Sequence, residues 1–121
     1  MSIKSFFSNS VETRELHSDP ALRSNYYRNN LKDVVAALHQ VADEMRLEVK
    51  NFDEIHKEMY MLGSGFDVII TITTINPIEC AVDFKINFFT IAGFNRPRKK
   101  AIEFYSRLKN KLNFKGVSLH P

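Results

Sequence analysis

From Asn30 onward the apolar residues recur at spacings of three and four: Leu31, Val34, Val35, Leu38, Val41, Ala42 and Met45. This is the stripe of an amphipathic helix, predicted over 29–46. Asn30 is a suitable N-cap, and Asp33 stands where a capping-box acid would stand. The pattern then tightens towards period two. Strands are predicted at Leu47–Phe52, Lys57–Leu62, Phe66–Ile75 and Glu79–Ile91, the third β-branched almost throughout. In the fourth, Cys80, Val82, Phe84, Ile86 and Phe88 share one face. Ala81, Asp83, Lys85 and Asn87 share the other, until Phe89 and Ile91. Gly63-Ser64-Gly65, Asn76-Pro77 and Ala92–Asn95 supply the breaks.

A second helix is predicted over 96–112. Pro97 fits its first turn, and Ala101, Phe104, Tyr105, Leu108 and Leu112 form its stripe. Residues 1–28 read as an irregular arm with a turn at Asp19-Pro20, and 113–121 as a tail. The expected fold is therefore α+β: one domain over 1–121, with a four-stranded antiparallel meander spanning 47–91 between two helices. A strand with one apolar and one polar face favours two layers, both helices covering the same face of the sheet.

At 121 residues the chain is long enough for one core without staples. Ten phenylalanines argue for a packed interior. The single cysteine, Cys80, excludes an internal disulfide and favours a cytoplasmic address. The apolar patch of Ile3, Phe6 and Phe7 is too short for a secretory signal core. Polar residues interrupt every longer apolar stretch, so no membrane association is expected.

Charge changes the picture more than composition does. Residues 96–121 hold eight basic side chains against Glu103 alone, a balance of +7; with the total at +3, the rest of the chain carries −4. Arg96, Arg98, Lys99 and Lys100 fall where the second helix begins. The macrodipole disfavours each cation there by about 0.3–1 kcal/mol, whereas an anion would turn donors, dipole and side chains to one purpose. Those four residues are the candidate anion site, for a phosphate, an acidic partner or a nucleic-acid backbone. Threonines and Phe89 on the open sheet face could stack bases, but no helix-turn-helix, zinc-finger or ribonucleoprotein motif accompanies them.

The open face also suggests an interaction surface formed by Ile69, Thr71, Thr73, Phe89 and Ile91, with a homodimer as the expected assembly. Signals of catalysis are weak. His39 and Asp43 stand four apart on a helix, and His56 with Glu58 lacks the Pro-Cys-x-x-Cys partner of zinc deaminases. Cys80 lies on an apolar face, as an inert thiol would. No catalytic residue, metal or cofactor is expected. The leading expectation is a non-catalytic cytoplasmic domain acting through self-association or protein binding. Anion or nucleic-acid binding at Arg96–Lys100 is the alternative, and an enzyme of unidentified class comes third.

Overall fold

The computed structural model describes residues 9–90 and 95–120. Ile91, expected on the interaction surface, lies outside them. Within them the chain is α+β: two helices and a seven-stranded antiparallel sheet. The strands are β1 (Ser10–Glu12), β2 (Asn25–Tyr27), β3 (Glu48–Asp53), β4 (Glu58–Leu62), β5 (Phe66–Asn76), β6 (Glu79–Phe88) and β7 (Phe114–Val117). The helices are α1 (Leu31–Glu44) and α2 (Arg96–Lys109), and Pro20–Leu22 forms a 3-10 turn.

The expected four strands are β3 to β6, paired consecutively. Three more come from the segments read as arm and tail. β1 and β2 lie end to end along the side of β6 that β5 leaves free, and β7 pairs with β2. These strands are three or four residues long, too short for period two to register. The second helix ends at Lys109, short of the 112 expected, and Leu112 is buried just beyond it.

Each element follows from its local chemistry. Asn30 caps α1, its Oδ1 accepting from Asp33 N at 2.8 Å. Arg46, with φ of 57°, turns the chain out of that helix, and Leu47 N donates to Ala42 O at 2.8 Å. The register of β5 on β6 sets Val68 opposite Ile86, Ile70 opposite Phe84 and Ile72 opposite Val82. All six are buried. Both helices contribute to the same core, α1 through Val34, Leu38 and Val41, α2 through Ala101, Phe104 and Leu108. Phe84 lies at the centre, stacked on Phe104 and edge-on to Tyr105, each at 4.9 Å between centroids. Where the helices meet, Glu44 accepts from Arg107 at 3.0 Å and from Lys111.

Candidate anion-binding cleft

Between β1 and β2 the chain leaves the sheet for an excursion over residues 13–24. Its base is pinned at both ends to Asp83 of β6: Thr13 Oγ1 donates to the carboxylate at 2.7 Å, and Ser24 Oγ at 2.7 and 2.8 Å. Burial raises the Asp83 pKa, while the Thr13 and Ser24 hydroxyls pull it back. Arg14 N donates to Leu22 O at 3.0 Å and Ser24 N to Arg14 O at 3.2 Å, closing the loop on itself. Leu22 enters the core.

The tip of this loop stands over the start of α2. Asp19 caps the 3-10 turn, its Oδ1 accepting from Ala21 N at 3.0 Å. The other oxygen, Oδ2, accepts from Arg98 Nε at 2.6 Å. The Arg98 hydrogen bond is the main reason the Asp19 carboxyl is held below its usual range. Beside it, His17 Nδ1 accepts from Asp19 N at 3.0 Å, so in the neutral ring the proton sits on Nε2. Burial and then the charge of Arg14 lower the His17 pKa and favour that neutral form.

A cleft of about 700 Å³ opens between the loop, β1 and the start of α2. Arg14 of the loop, Lys85 of β6 and Arg98 of α2 line it, as do Glu12, His17 and Asp19. Val11, Pro20, Leu22 and Pro97 supply apolar wall. Arg14 and Lys85 are exposed at its rim and Arg98 is half-buried.

The four basic residues singled out from sequence do begin α2, whose N-cap residue Asn95 has φ of 58° and makes no side-chain cap. They do not act together. Arg98 lines the cleft. Lys100 turns back to Glu103 at 3.3 Å and lies over the Phe66 ring at 5.2 Å. Arg96 and Lys99 are exposed and do not line the cleft. Arg14, Lys85, His17 and Asp19 were not singled out, because they share no local pattern with Arg98. The one visible signal was the turn at Asp19-Pro20.

On the outer sheet face, Ile69 is 38% and Phe89 54% exposed, Thr73 is exposed and Thr71 half-buried. Their neighbours are polar: Tyr60 donates to Asp67 at 2.8 Å, and Lys85 and Asn87 are exposed. The histidines are dispersed. His39 is exposed on α1, His56 Nδ1 lies 2.7 Å from Asp53 Oδ2 in the β3–β4 turn, and the His120 ring lies tilted at 46° against Tyr26, 5.3 Å between centroids. Cys80 is buried, and burial pushes its thiol pKa up. Among the described residues no three His, Cys, Asp or Glu side chains are grouped to hold a metal, and no helix is long and apolar enough to cross a membrane. No family model, no curated protein and no solved structure matches the chain.

Proposed function

We propose that this is a small, non-catalytic binding domain that takes an anionic group into the cleft between the 13–24 loop and the start of α2. The observation that carries the reading is that Arg14 of the loop, Lys85 of β6 and Arg98 of α2 line one concave space, three cations against the carboxylates of Glu12 and Asp19. A basic run along a helix is usually a solvated face. Three cations drawn from separate parts of the chain into a cleft are a stronger sign of recognition. A compact anion such as a phosphate group fits this shape better than a nucleic-acid backbone does, since a backbone is tracked by an open basic groove. In this reading both helices pack on one face of the sheet, and the protein works in the cytoplasm.

The test is a titration of the full chain with inorganic phosphate at constant ionic strength, followed by amide chemical shifts. Saturable shifts confined to Val11–Leu22 and Asn95–Arg98, and lost in Arg98→Gln, are the expected result. Weak, unsaturable shifts at lysines all over the surface would refute it.

Self-association is the second reading, favoured by Phe89 and Ile69 on the outer face of the sheet. A homodimer formed there would cover Ile69, Thr71, Thr73 and Phe89. Light scattering at high concentration tests it: a dimer that Phe89→Ser dissociates supports the surface, and a strict monomer removes it.

A further inference from the structure

The acid on Arg98 comes from the chain itself. Asp19 holds the guanidinium through Nε at 2.6 Å, with Nη2 3.5 Å from its other oxygen. The two residues are 79 apart in sequence. Arg98 is also the one residue of the basic run whose side chain lines the cleft through which a ligand would reach it.

We propose that Asp19 is a built-in competitor for the cleft, an autoinhibitory carboxylate that an incoming phosphate-bearing small molecule displaces from Arg98. The inference rests on the anion-binding reading above and adds how that site is regulated. Three features of the loop support it.

The base of the loop is anchored independently of Asp19, by Thr13 and Ser24 on Asp83 and by Leu22 in the core. Releasing Asp19 therefore leaves the fold intact. The tip, residues 17–20, makes its other polar bonds within the loop: Asp19 N to His17 Nδ1, Arg23 Nε to His17 O at 2.9 Å, and Ala21 N to Asp19 Oδ1. Among the described residues, Asp19–Arg98 is the polar contact that joins tip to helix. The pair is also partly solvated, with side-chain exposures of 37% for Arg98 and 28% for Asp19. An ion pair that wet is weak enough for a divalent anion to replace. Phosphate offers Arg98 the same two-point geometry with more charge. Arg14 and Lys85 line the same cleft and add attraction for an anion, set against the carboxylate of Glu12 opposite Lys85.

Asp19→Asn separates this role from a structural one. The amide keeps the oxygen that accepts from Ala21 N, so the cap on the 3-10 turn survives, while the competing charge is lost. Inorganic phosphate is the probe, titrated into the full chain at fixed ionic strength. The expected result is about fivefold tighter binding by Asp19→Asn than by the natural chain, the amount a modest surface ion pair is worth. Amide exchange at Ser18, Asp19 and Ala21 should also quicken when phosphate saturates the natural chain, as the tip lets go.

Equal or weaker binding by Asp19→Asn, with the natural chain still binding at the cleft, would overturn the competitor role and leave the cleft standing. Failure of both proteins to bind phosphate would remove the cleft reading, and this inference with it. Slower exchange at the tip on saturation would show that phosphate and Asp19 are held together, which also overturns displacement.

Discussion

The hydroxyl of Tyr105 lies 2.9 Å from Thr13 Oγ1 and 2.9 Å from Val82 O, tying α2 to the base of the 13–24 loop and to the centre of the sheet at one buried point. Its single proton serves either acceptor. Thr13 Oγ1 in turn donates to Asp83 and accepts from Phe84 N at 2.9 Å. Burial is the main cause of the rise in the Tyr105 pKa, so the phenol stays neutral and remains a donor. Tyr105→Phe keeps the ring against Phe84 and removes only the hydroxyl. It should cost about 1–3 kcal/mol, the range for leaving buried partners unsatisfied. Urea unfolding measures this directly, and a loss under about 0.5 kcal/mol would mean that water replaces the hydroxyl.

Stability should depend on pH through His17. Its pKa is lowered in the fold by burial, then by Arg14, against the attraction of Asp19. Arg23 on the loop also faces it, and Lys85, Arg98 and Glu12 share the cleft from β6, α2 and β1. A protonated Nδ1 cannot accept from Asp19 N. As pH falls below 6.5, the unfolded chain takes up this proton before the folded one does. The stabilisation is thus complete above 6.5 and is lost as pH falls through the folded value. His17→Gln should flatten this dependence between pH 7 and 5 in thermal melts. His56 has the opposite sign, its pKa raised by Asp53, so a His56→Gln control should instead change stability on the alkaline side.

Legibility of the fold divided along element length. α1 and β3 to β6 could be read because each offers several turns or pleats of a single period, as in Leu31–Met45 and Cys80–Phe88. β1, β2 and β7 could not, since three or four residues cannot establish a period. They are strands because of partners elsewhere: Tyr26 and Tyr27 lie opposite Ala81 and Cys80, more than 50 residues on. The site divided in the same way. The misplaced charge at Arg96–Lys100 was visible, and so was the start of a helix beneath it. That Asp19 would fold onto Arg98 depends on the loop's path, which no local pattern encodes, whereas the turn of Lys100 to Glu103 follows from their i,i+3 spacing on the helix.

Gly63 is fixed by crowding. A Cβ there would stand 2.7 Å from two atoms of the Phe66 ring and 2.8 Å from Leu47 Cδ2. Phe66 is itself clamped by stacking on Phe88 at 5.2 Å, so the ring cannot move aside freely. Gly63→Ala should lose about 1–3 kcal/mol by overpacking. Gly65, two residues on, has open space around its Cβ position but φ of 85°, so Gly65→Ala should lose stability through backbone strain instead. Combining each variant with Phe66→Leu separates the mechanisms, because the smaller side chain should relieve part of the loss in Gly63→Ala, Leu47 still crowding the site, and none of the loss in Gly65→Ala.

The strands at the two ends of the sheet order are guarded by the same device. β3 and β7 are the terminal strands, and each carries a register shift at which a lysine is the extra residue: Lys50 between Val49 and Asn51, Lys115 between Phe114 and Gly116. A bulge interrupts the row of free backbone groups, and a charge at the bulge makes stacking of another strand unfavourable. The two lysines differ in their second task. Lys115 pairs at 2.6 Å with Glu79, which is buried, whereas Lys50 pairs at 3.1 Å with the exposed Glu48. An exposed pair contributes little to stability. Lys50→Val should therefore leave the unfolding free energy within about 0.5 kcal/mol of the natural chain. Yet it joins Val49 to a second β-branched residue and removes the cation at the bulge, leaving Glu48 and Asp53 as the charges of that strand, so light scattering on prolonged incubation should rise above that of the natural chain. Lys115→Val should aggregate and also lose stability, because Glu79 is left buried without its main partner. If Lys50→Val stays as soluble as the natural chain, the bulge alone protects that edge and the charge is incidental.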